Sequence, residues 1–193
     1  MLTKKNGGET VSEELLIRHC SPTLAGIKTG NLFPVNLGSE NELKACVREW
    51  NKSLSHKGLR IMPMRFENGR ALIYVYRPSH LSKDLSESMA EDILSSLGYS
   101  GKTPERCIGE LMKRMRQSED FPHEIGLFLG YPPEDVKGFI ENKACGSKCT
   151  GCWKVYGDEN AAKKIFARYK KCTAIYSKLF ADGRSLEKLT VAA

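Results

Sequence analysis

Apolar residues recur at three- and four-residue intervals over most of the chain, so the pattern is chiefly helical. Leu43, Cys46, Val47, Trp50 and Leu54 form one stripe. Ser39 and Glu42 precede it at capping-box spacing, and Gly58 follows as a terminator. Leu81, Leu85, Met89, Ile93, Leu94 and Leu97 continue the pattern up to Gly98. Thr103 and Pro104 open another helix, which carries Cys107, Ile108, Leu111, Met112 and Met115. Phe121 to Leu129 is apolar and predicted to be buried. Pro132-Pro133 starts a helix expected to bury Val136, Phe139 and Ile140. The last stripe runs from about Asp158 to Gly183 through Ala162, Ile165, Phe166, Tyr169, Cys172, Tyr176 and Leu179. At the other end, Thr10 and Glu13 predict a short helix through Leu15, Leu16 and Ile17 that stops near Pro22 and Gly26. Residues 1–9 read as a flexible tail.

Strand patterns are fewer. "LRIMPMRF" and "ALIYVYRP" flank Asn68-Gly69, a pair that favours a two-residue hairpin turn. "TGNLFPVN" reads as a short strand, with Pro34 suiting an edge. "WKVYG" reads as another. The fold predicted is α+β: a small, mainly antiparallel sheet with a central β-hairpin at about 59–77, packed by several helices. No long polar linker divides the 193 residues, so a single α+β domain over 1–193 is expected.

With 40% hydrophobic and 27% charged residues the chain is not a disordered polymer. No apolar run reaches the roughly 20 residues that span a bilayer, so no membrane partner is expected. The start "MLTKKNGGET" lacks an export signal, and a cytoplasmic location is the expectation. The net charge of +7 is uneven. Residues 143–193 hold 11 basic and 4 acidic side chains and carry the whole surplus. Such a basic, cysteine-containing C-terminal segment attracts anions or an acidic partner. The aromatics of its helix fall on the apolar side, which argues against nucleic-acid binding.

The seven cysteines are reduced thiols by default in a cytosolic chain. Cys145, Cys149 and Cys152 stand as C-x3-C-x2-C in the glycine-containing loop "ACGSKCTGCW". Three thiolates so spaced can wrap one soft metal centre, and Cys172, twenty positions after Cys152, offers a fourth ligand. Zinc or an iron–sulfur cluster is the cofactor this pattern would hold; unligated thiols or a redox pair, with no cofactor, are the alternatives. The spacing also occurs in radical S-adenosylmethionine enzymes. That motif lies early in the chain ahead of a barrel, however, whereas only 41 residues follow Cys152.

A second candidate comes from the hairpin. Counting outwards from Asn68-Gly69 pairs Phe66 with Ala71, Met64 with Ile73, Met62 with Val75 and Arg60 with Arg77 on one face, with Ile61, Tyr74, Tyr76 and Arg65 on the other. Like charges facing each other require an acid, and two guanidinium forks at a core rim suit a carboxylate or phosphate. Arg60 and Arg77 are therefore an expected anion site, with Glu110 and Glu124 as internal counter-charges and His19, Cys20, Lys28 and His123 as candidate rim residues. Solvation of both arginines is the alternative. His19-Cys20 and His123-Glu124 could do nucleophilic or acid–base work, but neither comes with an assignable oxyanion donor. "GIKTG" lacks P-loop spacing.

Three segments carry a resemblance: "HCSPTLAGIKTGNLF", "FPHEIGLFLGYPPEDVKGFI" and "CWKVYGD" with the following "YKKC". Together with "YVYRP" and "GRSLEKLTV" they resemble an uncharacterised bacterial domain-of-unknown-function family, found mostly in anaerobic Gram-positive species. The resemblance implies an iron or redox context and supplies no catalytic residues. The leading expectation is an accessory protein that binds iron–sulfur or zinc through Cys145, Cys149, Cys152 and Cys172, with a redox protein or an anionic small molecule as partner. The competing expectations are a non-enzymatic interaction module using the basic C-terminal face, or a small-anion-binding protein using Arg60 and Arg77. No enzymatic reaction can be read from the chain.

Overall fold

A computed structural model describes residues 12–101, 103–117 and 121–192. Helix α1 (Glu13–Leu24) leads into strand β1 (Gly30–Asn36) and helix α2 (Glu40–Leu54). Strands β2 (Arg60–Glu67) and β3 (Arg70–Tyr76) follow. Five helices come next: α3 (Pro78–Leu85), α4 (Ser88–Ser96), α5 (Pro104–Gln117), α6 (Ile125–Phe128) and α7 (Pro133–Asn142). A two-stranded ribbon, β4 (Cys149–Thr150) with β5 (Lys154–Val155), precedes the long α8 (Glu159–Ala181) and the short α9 (Leu186–Leu189). The fold is α+β, as the residue pattern predicts.

The main sheet is antiparallel, in the order β1-β3-β2. Both of its prolines, Pro34 and Pro63, therefore lie on edge strands, where a missing N–H removes no ladder bond. Asn68 and Gly69 both take positive φ, as the tight turn demands. One sheet face, with Phe33, Val35, Ile61, Ala71, Ile73 and Val75, packs against α1, α2 and α9. The other, with Tyr74, Tyr76 and Met64, packs against side chains of α3 to α7. A third cluster joins Trp153 and Val155 of the ribbon to Ala162, with Ile165, Phe166 and Tyr169 of α8 against it.

Several local expectations need correction. The register expected for the hairpin holds for Glu67–Arg70 and Phe66–Ala71 and then slips at a bulge between Pro63 and Arg65. One extra residue reverses every side chain beyond it. Ile61, not Met62, pairs with Val75 and joins the α1/α2 core, while Met62 goes to the opposite face with Tyr74. Arg60 consequently lies opposite Tyr76, not Arg77. Helix α1 continues through Pro22 to Leu24. Its N-cap is Ser12; Thr10 and the tail at 1–9 lie outside the described residues. Met89 is exposed and Ala90 takes its expected place in the core. Phe121 is 44% exposed, and Phe139 and Ile140 are only half-buried.

Candidate functional site

The ribbon β4–β5 is held to α7 by one carboxylate. Asp135 sits in the first turn of α7 and is 3% exposed. One of its oxygens accepts Trp153 Nε1 at 2.7 Å; the other accepts the backbone N–H groups of Tyr156 and Gly157, each at 2.7 Å. A buried carboxylate with three donors is well satisfied, and it fixes the ribbon's orientation. Close packing adds to this clamp. The Tyr156 ring lies so near Gly138 that a Cβ there would collide with it, and Gly126 is filled in the same way by Val136 and Tyr131.

The clamp leaves a cleft of about 430 Å³ between α6–α7 and the ribbon. Phe121, Ile125, Leu129, Val136, Phe139 and Trp153 give it apolar walls, and His123, Thr150, Cys152 and Lys154 add polar groups. Tyr131 closes one side. It stacks on Trp153 with ring centroids 4.7 Å apart, and its hydroxyl donates to the Cys152 carbonyl at 3.3 Å. Trp153 in turn meets the Phe166 ring edge-on at 4.5 Å. His123 rests edge-on against Phe139 at 4.8 Å.

Behind the Tyr131–Cys152 side lies Lys28, 7% exposed, on the turn between α1 and β1. Its ammonium is 5.4 Å from the Tyr131 ring centre and 5.9 Å from that of Tyr169. Among the described residues it makes no hydrogen bond or ion pair. Burial pushes Lys28 down to about 8, against a smaller upward pull from Cys20 and Cys152. Burial raises the Cys152 thiol, and Lys28 offsets part of that rise. Cys20 is wholly buried and its thiol is pushed far up, so it stays protonated. Of the four expected rim residues, Cys20 and Lys28 influence each other electrostatically. His123 lines the cleft instead, and His19 stacks on Phe33.

The arginine pair is not a facing pair. Arg77 is 1% exposed. Its Nε donates to Thr23 O at 2.7 Å, and its Nη2 donates to Leu24 O at 2.8 Å and Val191 O at 2.7 Å. Its Nη1 reaches Lys57 O at 3.4 Å. The side chain thus joins the end of α1, the turn before β2 and the C-terminal segment. Arg60 is exposed and bonds the Leu59 carbonyl at 2.9 Å. Neither suggested counter-charge reaches them: Glu124 is bound by Arg114 at 2.6 Å and Tyr99 at 3.0 Å, and Glu110 lies 3.7 Å from Lys113.

The cysteines are spread out. Cys145 and Cys152 are exposed, Cys149 is half-buried against the Trp153 cluster, and Cys172 is half-buried on α8. Among the described residues no three His, Cys, Asp or Glu side chains group as metal ligands. On α8, Lys163, Lys164, Arg168, Lys170, Lys171 and Lys178 are exposed, while Phe166, Tyr169 and Tyr176 turn inward. No helix among the described residues is long and apolar enough to cross a membrane.

Residue patterns missed Asp135, Tyr131 and Trp153. The sequence holds one signal for them: a tryptophan N–H and an acid in the first turn of a helix each need a partner, and the two lie within about twenty residues of each other.

The segments that carried the family resemblance are those that interlock. "YPPEDVKGFI" and "CWKVYGD" meet at Asp135, and Arg77 of "YVYRP" binds the carbonyls of "HCSPTLAGIKTG" and of the closing "LTV". No curated protein and no solved structure matches the chain. A family model described as "Protein of unknown function (DUF3793)" matches residues 16–190, and the chain belongs to that family.

Proposed function

We propose that this protein binds a small, largely apolar molecule in the cleft between α6–α7 and the β4–β5 ribbon. The observation that carries this reading is a cleft of about 430 Å³ whose two walls are fixed to each other by the Asp135 clamp. Its volume falls in the range of small-molecule sites, and its lining has their usual character, apolar with a few polar groups. Phe121, an exposed aromatic ring on the lining, has no place in the core and suits contact with a ligand. The neutral fluorophore 1-N-phenylnaphthylamine tests the reading. The wild-type protein should bind it, and Thr150→Trp, which fills the cleft from an exposed ribbon position, should weaken binding at least tenfold with little change in melting temperature. Binding insensitive to Thr150→Trp would refute the reading.

A zinc or iron–sulfur centre on Cys145, Cys149, Cys152 and Cys172 is the competing reading. It is favoured by two exposed thiols on one glycine-bearing loop, and it requires that loop to close around the metal. Stoichiometric iron or zinc in protein purified without oxygen would support it, and metal-free protein would remove it.

A further inference from the structure

Lys28 is a buried cation without an anion. Charged groups taken out of water are ordinarily paired, because the interior replaces little of their hydration. Among the described residues this ammonium forms no ion pair, and rings and thiols border it. Tyr131 and Tyr169 present ring faces to it, Cys20 is held protonated by burial, and the side chain of Cys152 borders the cleft. Asp84 is a nearby acid, on α3. Its carboxylate accepts the hydroxyl of Thr29 and, among the described residues, forms no ion pair with Lys28. The cation on the cleft lining itself, Lys154, is turned to the Ala144 carbonyl at 2.8 Å, whereas Lys28 lies behind the Tyr131–Cys152 wall.

The geometry points to Lys28 as the anion-recognition group of the cleft, so that the ligand carries an acid group on an apolar body. This rests on the cleft reading and names the ligand's chemical class. The apolar body lies against Phe139, Val136 and Ile125. The acid group, a carboxylate, sulfonate or phosphate, reaches the Lys28 field at the Tyr131–Cys152 side. There the wall is formed by the exposed Cys152 side chain beside Gly151. An acid group arriving at that point supplies the charge that the fold withholds. The cation–π contacts keep the ammonium in place until then. A lysine serving only as packing would need its methylene stem and not its charge. Charge and packing can therefore be separated by experiment.

Two fluorophores with one body make the test. 1-N-phenylnaphthylamine is neutral, and 8-anilino-1-naphthalenesulfonate adds a sulfonate to the same rings. Wild-type protein at pH 7 should bind the sulfonate at least tenfold more tightly than the neutral probe. Lys28→Met keeps the stem and removes the charge. It should abolish that preference and leave the neutral probe within twofold, and Lys28→Gln should do the same if the methionine variant folds poorly. Equal binding of both probes to the wild type overturns the inference, as does a preference that survives Lys28→Met or falls with Lys154→Met instead. In each of those cases Thr150→Trp still weakens both probes and the cleft reading stands. Probes indifferent to Thr150→Trp sink the cleft reading itself.

Discussion

Arg77 and Lys28 are two buried cations on neighbouring parts of the fold, and their surroundings are opposite. Arg77 donates to four backbone carbonyls from three separate segments. Lys28 faces two aromatic rings and thiols, with no acceptor among the described residues. A guanidinium offers a planar fork of five donors, so one arginine can replace its hydration with fixed carbonyl dipoles. An ammonium between ring faces recovers much less. The first arrangement is that of a structural tie. The second leaves a charge unanswered beside a cleft, and strongly perturbed groups in such places are candidates for function.

Breaking the tie should give the largest effect. Arg77→Ala would remove three short charge-assisted bonds and leave a cavity where the three segments meet, although Thr23 O and Leu24 O keep the backbone N–H groups of Gly26 and Val191, with an expected loss of roughly 3–5 kcal/mol in urea denaturation. Arg77→Lys keeps the charge but not the fork, and should recover less than half of that. Full recovery by lysine would mean that charge, not geometry, holds the three segments together.

Asp135 extends the comparison to a buried anion that is fully served. Asp135→Ala should cost about 2–4 kcal/mol, because Trp153 Nε1 and two backbone N–H groups lose their acceptor. Binding of 1-N-phenylnaphthylamine should fall with it, since the ribbon wall comes loose. Unchanged binding would show that the clamp does not shape the cleft.

Lys28 should behave in the reverse sense. Its folded value of about 8 lies below the 10.5 of the free side chain, so between pH 8 and 10.5 the unfolded chain holds more protons. Stability of the wild type should therefore rise as pH climbs through that window, and below pH 8 a constant penalty remains. That penalty is at most about 3 kcal/mol, less the cation–π contribution. Lys28→Met should accordingly stabilise the ligand-free protein at pH 7 by roughly 1–2 kcal/mol, a gain that fades towards pH 10. A destabilised Lys28→Met protein would place Lys28 with Arg77 as a structural group.

These contrasts explain what the residue pattern could and could not convey. The Asn68-Gly69 turn was legible because both positions need positive φ. The cap at Ser39 was legible because its side chain bonds the first turn of α2, and Asp158, where the last stripe was expected to begin, caps α8 in the same way. The bulge was not, because Met62 and Met64 are apolar and serve either face equally well, so periodicity could not detect the slip. The burial of Lys28 was not legible either: Tyr131 and Tyr169 lie over a hundred residues away, and nothing local marks "GIKTG" as enclosed. The cysteine spacing was legible as a motif, but spacing fixes sequence distance and not the direction in which each thiol points.

Arg60 gives the smallest effect and the sharpest test of the bulge. With a regular register Arg60 and Arg77 would face each other, and Arg60→Ala would relieve repulsion beside a core group. The shifted register places Arg60 opposite Tyr76, exposed, and among the described residues its carbonyl contacts are to the adjoining turn at Ser55 and Leu59. Arg60→Ala should then change stability by no more than about 0.5 kcal/mol. It should also be additive with Arg77→Lys, because the two side chains bond different carbonyls and share no acceptor. A coupling larger than about 1 kcal/mol in the double-mutant cycle would mean that the two guanidiniums do act on each other, and that the bulge at Met64 does not separate them.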